Sequence, residues 1–252
     1  MIPALVIFDC DGVLVDTEAV SNEVMSAALA HHGYRISVEE SRLRFVGRTM
    51  ESIQSEVEAE IRRPLGADWP ERVRTATEAA FDRGVRPIPG AEEAIKAVAG
   101  AGLKYCVASS GRFSKMRKSL GQAGLLHYFD NVLFSAEQVQ RGKPAPDLFL
   151  FAAARMEGMA ADCVVIEDSV PGVQAGIAAG MRTLAYAGDS MSVKSGLIET
   201  GAQAFFDMMD LPGLLGIATA HRKDRTQVPA RIADGEPGFA REIVADVSAE
   251  GC

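Results

Sequence analysis

The sequence predicts an α/β fold, a Rossmann-like, mainly parallel sheet core carrying an inserted α-helical cap domain. Three observations predict it. Short, continuous apolar runs recur along the chain and stop abruptly at polar loops. In the C-terminal two thirds these runs alternate with segments of helical period. One long stretch near the N-terminus breaks that alternation with helical patterns alone.

The first run, Ala4-Leu5-Val6-Ile7-Phe8, ends in Asp9-Cys10-Asp11-Gly12, the pattern of a strand buried on both faces and followed by a loop. Glu18 to His32, Val38 to Phe45, Met50 to Ile61 and Trp69 to Arg83 then carry apolar residues at helical spacing. The stretch is read as a helical domain inserted after the first strand, with connections near Asp16-Thr17 and near Arg83 to Pro89. Helices that simply cover the sheet are the alternative. Two prolines and a glycine in Val85-Arg86-Pro87-Ile88-Pro89-Gly90 mark a stiff connector. Beyond it, strand-like runs at Lys104 to Ala108, Asn131 to Phe134, Cys163 to Ile166 and Arg182 to Tyr186 alternate with helical segments. Those segments are Ala91 to Ala101, Phe113 to Ala123, Asp147 to Met156 and Val170 to Ala179. The alternation indicates βαβ units. The expected organisation is a core of residues 1–16 and 85–220, a helical cap of 17–84, and a tail of 221–252 that is flexible or weakly docked. Phe239 to Val247 is a candidate helix in that tail.

Composition narrows the function. The 252 residues are 48% hydrophobic and 24% charged, an ordinary globular balance. A net charge of -8 argues against a nucleic-acid surface. It leaves room for an anionic metabolite, because a bound divalent cation reverses the field inside a cleft. Cys10, Cys106, Cys163 and Cys252 form no C-x-x-C pair and are read as reduced, mostly buried small residues. No signal peptide or membrane-length apolar stretch is found, so a cytoplasmic location without membrane association is expected, as a monomer or weak homo-oligomer.

Four groups of residues lie where a parallel sheet presents its ligand site, at the carboxyl ends of strands. Asp9 and Asp11, two apart on an extended chain, can address one site. Their mutual repulsion calls for a cation or a shared proton, and Mg²⁺ suits an oxygen-rich site that also binds phosphate. Ser109-Ser110-Gly111-Arg112 opens a helix with hydroxyls and backbone N–H groups, either as an anion site or as plain helix capping. Lys143 sits in Gly142-Lys143-Pro144-Ala145-Pro146-Asp147, where prolines stiffen its loop. Glu167-Asp168-Ser169 puts two carboxylates at the end of another buried strand, ahead of a helix that Ser169 can cap. Favouring the helix dipole is the bland alternative for the pair.

These motifs, in this order from Ile2 to Leu215, resemble the haloacid dehalogenase superfamily, in the branch with a helical cap after the first strand. The resemblance implies that Asp9 attacks phosphorus and forms an aspartyl-phosphate, while Asp11 acts as general acid and then base. It implies that Ser109 and Lys143 hold the phosphoryl oxygens, with Ser110 and Gly111 beside them. Mg²⁺ would be bound by Asp9, the Asp11 backbone carbonyl and Asp168, assisted by Glu167. Gly47-Arg48-Thr49 resembles the cap loop that enters the active site, which makes Gly47 and Arg48 candidate substrate contacts; an exposed arginine at a helix start reads equally well. The cap is expected to close over a small phosphorylated metabolite.

Dehalogenation is disfavoured, since a departing halide needs no proton and Asp11 is present. A phosphatase leads, and several stretches resemble bacterial sugar-phosphate phosphatases, among them 6-phosphogluconate phosphatases. A β-phosphoglucomutase-like mutase is the alternative, weakened by Ser21 and Met50 where the mutases carry a histidine and an arginine. A non-catalytic metabolite-binding protein is the third reading.

Overall fold

The computed structural model of the protein describes residues 2–45, 48, 50–188 and 196–217. A strand with no polar gap needs cover on both faces, and β1 (Leu5–Phe8) has it: all four residues are buried. After β1 the chain makes the short strand β2 (Val15–Asp16) and later β3 (Arg86–Pro87), which pair with each other antiparallel. The remaining strands are β4 (Lys104–Ser109), β5 (Leu133–Ser135), β6 (Cys163–Glu167), β7 (Arg182–Tyr186) and β8 (Gln203–Phe205). Together with β1 they form a six-stranded parallel sheet of order β5-β4-β1-β6-β7-β8. The order reverses at β1, so β4 and β6 flank it and their connections diverge to opposite sides. That is the switch point at which open α/β sheets bind ligands.

Register then decides which residues meet. Phe8 stands level with Val107 of β4 and Ile166 of β6. Asp9 follows directly, with its backbone N–H donating to the Ile166 carbonyl at 2.9 Å. The residues that terminate the three central strands therefore emerge side by side.

The described residues gather into two compact units, one of residues 2–16 and 85–217, the other Thr17–Gly84. In the first, Leu5 and Ile7 pack with Leu148, Phe149, Ala152 and Ala175. Phe8 meets the edge of Phe129 at 6.4 Å between ring centroids, and Tyr105 meets the same ring at 5.6 Å. The longer helices of this unit are α5 (Ala91–Gly100), α6 (Phe113–Gln122), α7 (Asp147–Arg155) and α8 (Val170–Ala178). The second unit holds α1 (Thr17–His31), α2 (Val38–Phe45), α3 (Met50–Ile61) and α4 (Trp69–Phe81) around Val24, Leu29, Ile53, Val57, Trp69 and Val73. Each of these helices lies within two residues of the boundary read from periodicity.

Two elements depart from the sequence reading. The connector Val85 to Gly90 contributes Arg86–Pro87 to the small ribbon, and β8 adds an edge strand that no apolar run announced. Cys10, Cys106 and Cys163 are buried and unpaired, as expected. No helix among the described residues is long and apolar enough to cross a membrane. The tail and its candidate helix at Phe239 to Val247 lie outside the described residues.

Helix α8 approaches the sheet on a glycine face. A Cβ at Gly176 would fall 2.4 Å from Thr183 Oγ1 on β7, and one at Gly172 would fall 1.8 Å from Glu167 Oε1. The two glycines are four residues apart and share one side of the helix. Gly176→Ala should therefore lower stability by about 1–3 kcal/mol through overpacking, against the intrinsic helical preference for alanine of about 1 kcal/mol. Denaturant unfolding checks this: a variant as stable as wild type would mean that Thr183 yields freely.

Candidate active site

The carboxyl ends of β4, β1 and β6 carry the site. Asp9 ends β1 in a buried position, and Lys143 reaches it from the loop between β5 and α7. Lys143 Nζ donates to Asp9 Oδ1 at 2.6 Å, to Glu167 Oε1 at 2.6 Å and to the Ala108 carbonyl at 3.1 Å. Its ammonium also lies 4.8 Å from the centre of the Phe149 ring. The three donors of the ammonium are thus all engaged, and its side chain is only 5% exposed.

Glu167 is held as firmly. While Oε1 accepts from Lys143, Oε2 accepts from the backbone N–H groups of Asp168 and Ser169, each at 3.0 Å, and from the Ser169 hydroxyl at 2.9 Å. Ser169 caps α8 by accepting from the Gly172 N–H at 3.2 Å, as read from the sequence. Gly172 has no Cβ, and that absence makes the space for the Glu167 carboxylate.

Burial pushes the Asp9 carboxyl up to about 7, assisted by the Glu167 charge and opposed by Lys143. Burial alone would lower Lys143, but Asp9 and Glu167 outweigh it and hold the ammonium above its ordinary value. The lysine therefore stays charged, whereas burial opposes ionisation of Asp9.

Asp9, Glu167 and Asp168 each offer a carboxylate oxygen, with these atoms all within 4.8 Å of one another. The donor set is all oxygen and concentrated, which fits Mg²⁺ and does not resemble a zinc or copper site. The loop after β1 is shaped around it. Gly12 adopts φ +79°, and a Cβ there would lie 1.8 Å from Asp168 Oδ2. Asp9 and Asp168 are the better placed direct ligands, because Glu167 already accepts from four donors.

Ser109 is buried at the end of β4, and its Oγ accepts from the Gly111 N–H at 3.1 Å, leaving its hydroxyl proton to donate. It does not cap α6: the N-cap is Arg112, without a side-chain cap bond. Glu137 instead accepts from the Phe113 N–H at 3.1 Å, and Ser135 Oγ donates to the Gly111 carbonyl at 2.7 Å. Ser110 is exposed in the same loop. Asp11 turns toward this loop, since a Cβ at Gly111 would lie 3.4 Å from Ser109 Oγ and 3.8 Å from Asp11 Oδ2.

One residue of the site was not singled out in the sequence. Lys115 Nζ donates to Asp11 Oδ2 at 2.9 Å. The signal was available, because a lysine in the first turn of α6, where no acidic residue stands, sits against the helix dipole and calls for a partner. In the helical unit, Arg48 donates to Glu56, and its Nη2 donates to Ser52 Oγ at 2.8 Å. Gly47 lies outside the described residues. Ser21 Oγ donates to the Thr17 carbonyl at 2.9 Å.

A family model for haloacid dehalogenase-like hydrolases matches residues 6–186. The 6-phosphogluconate phosphatase of Escherichia coli is 36% identical over 73% of this chain and 82% of its own length. A phosphorylated carbohydrates phosphatase of Thermotoga maritima is 31% identical over 79% of this chain and 92% of its own. Among solved structures, a haloacid dehalogenase family hydrolase of Deinococcus radiodurans, with bound phosphate and sodium, superposes with a TM-score of 0.77 at 29% identity. It covers 86% of this chain and 98% of that one.

Gly12→Ala should lower the affinity for a divalent cation by about 10–100-fold, the range seen when the support of a ligating group is removed. The added methyl must displace the Asp168 carboxylate, and the positive φ strains any residue other than glycine. Titration of Mg²⁺ by calorimetry, with circular dichroism to check the fold, reads the effect; unchanged affinity in a folded variant would remove Asp168 from the ligand set.

Proposed function

The chain belongs to the haloacid dehalogenase-like hydrolases and is a phosphoric-monoester hydrolase; from that premise we propose that it hydrolyses a small phosphorylated sugar or sugar acid with Mg²⁺, through an aspartyl-phosphate on Asp9. The observation that carries the reading is the convergence of Asp9, Lys143, Glu167 and Asp168 at the ends of adjacent parallel strands, with Asp11 and Ser109 beside them. Relatives named for phosphorylated carbohydrates and for 6-phosphogluconate support the substrate class.

Each side chain then has a task. Asp9 attacks phosphorus, so that a bond forms from its carboxylate oxygen as the ester P–O bond breaks. Asp11 gives its proton to the departing alkoxide, which leaves as a neutral alcohol. A water then attacks the same phosphorus, Asp11 takes its proton, and the bond to Asp9 breaks to release phosphate. The covalent intermediate divides one difficult displacement into two easier ones. Ser109 donates its hydroxyl to a phosphoryl oxygen, with the N–H groups of the Ser110-Gly111 loop close by. Lys143 stands next to the nucleophile, and one of its three present contacts yields as a phosphoryl oxygen arrives. Asp9, Asp168 and the Asp11 backbone carbonyl, with Glu167 alongside, would hold Mg²⁺, which when bound would supply positive charge against that of the transferring phosphoryl group. Arg48 is the residue of the helical unit proposed to meet the substrate, by exchanging its bond to Glu56 for one to a substrate anion.

Phosphate release tests the reading. Across 6-phosphogluconate, glucose 6-phosphate, fructose 1-phosphate and glycerol phosphate, release should require Mg²⁺, stop with EDTA and be strongest on one or two members. Isomerised sugar phosphate formed only with a bisphosphate activator would replace the phosphatase by a mutase, and ligand binding without turnover would replace it by a binding protein. Asp9→Asn should lower turnover by on the order of 10⁴-fold or more with the fold retained. More than a trace of Mg²⁺-dependent turnover in that variant would assign the nucleophile elsewhere.

A further inference from the structure

We propose that Lys115 is a positioning residue for Asp11, fixing which of its two carboxyl oxygens carries the proton delivered to the leaving group. The inference rests on the phosphatase reading above and deepens it. Lys115 stands in the first turn of α6, and its Nζ meets Asp11 Oδ2 at 2.9 Å. The side chains are 42% and 29% exposed, so the pair is open to solvent yet anchored at both ends, by a helix and by the loop after β1.

The chemistry of the two groups makes the contact directional. An ammonium has three donors and no acceptor, so the oxygen it touches must be an acceptor. A protonated carboxyl has one oxygen of each kind. With Lys115 on Oδ2, the proton of Asp11 belongs on Oδ1, and rotation about the Cβ–Cγ bond that would exchange the two oxygens breaks the contact. Asp11 then presents its acid in one orientation, without sampling the wrong one at each turnover. Proton transfer depends on that geometry before it depends on acidity. In the step itself the ester P–O bond breaks, phosphorus bonds to Asp9, and the Oδ1 proton passes to the leaving oxygen. Lys115 exchanges nothing and touches neither phosphorus nor ester.

A positioning role of this kind has a signature that neither phosphate binding nor loop support shares. An alkoxide must be protonated as it leaves, whereas p-nitrophenolate is stable enough to leave without a proton. Single-turnover cleavage by the Mg²⁺-loaded enzyme is compared for p-nitrophenyl phosphate and for the alkyl phosphate turned over best in the panel above. Lys115→Met keeps the aliphatic stem and removes the donors. Its loss on the alkyl phosphate should exceed its loss on p-nitrophenyl phosphate by about tenfold or more. Lys115→Arg, again a donor without an acceptor, should restore most of that difference. Lys115→Gln, which can accept as well as donate, should not restore it; this variant takes the place of Lys115→Met if the latter fails to fold. Equal losses on the two esters, no loss on either, or a faster reaction on the alkyl phosphate would each overturn the proposal. Wild-type enzyme that cleaves neither ester would overturn the phosphatase reading, and this inference with it.

Discussion

A buried ammonium between two buried carboxylates holds this site together. Lys143 reaches Asp9 and Glu167 at the same distance, 2.6 Å, from a loop far away in sequence. Desolvating three charges is costly, and such an arrangement persists only when geometry and extra hydrogen bonds repay that cost. Here they do so visibly. Glu167 draws three further donors from the start of α8, and Lys143 a third acceptor from Ala108 at the end of β4. The triad thereby ties the ends of all three central strands to one loop. It also explains the close packing of α8, since the helix can stand this near the sheet only where Gly172 leaves room for Glu167.

The sheet that carries the triad was legible in sequence because burial on both faces demands unbroken apolar runs, and the three central runs end at Asp9, Ser109 and Glu167. Asp9, Ser109 and Glu167 could be placed at strand ends by that rule alone. Less was legible where the signal is short or comes from far away. The ribbon of Val15–Asp16 with Arg86–Pro87 has two residues on each side, too few for a period, and one is a proline. β8, with Gln203 first and exposed, reads as loop until β7 is known to lie beside it. Ser109 was legible as a polar residue at a helix start, but its partner, the Gly111 N–H, depends on how the loop folds. Lys115 was overlooked because most helical lysines are solvated. Only its place in the first turn, with no acid near in sequence, sets it apart.

Glycine supplied two of the more informative positions, for reasons of space. Gly12 follows the two aspartates in the loop after β1 and adopts a positive φ. The deeper constraint is that the Asp168 carboxylate lies where its Cβ would be, a contact between loops that are more than 150 residues apart in the chain. Gly176 against Thr183 is the same constraint without chemistry. In both cases the residue type reports how closely another group approaches, which no local pattern encodes.

The charges of the site are divided between two lysines. Lys143 is bound to Asp9 and Glu167, Lys115 to Asp11, and Asp168 stands with the first group. Three of the carboxylates lie together on the Asp9 side. A divalent cation is suited to that side: it offsets the excess negative charge next to Asp9, whose carboxyl burial otherwise pushes up to about 7. Asp11, two residues on, accepts from Lys115 and lies near the Ser109-Gly111 loop. One aspartate thereby lies in the carboxylate cluster beside Lys143, and the other meets Lys115 next to the Ser109-Gly111 loop. The D-x-D spacing puts both at the end of one strand, and the two lysines, each supplied by a different distant segment, make them different.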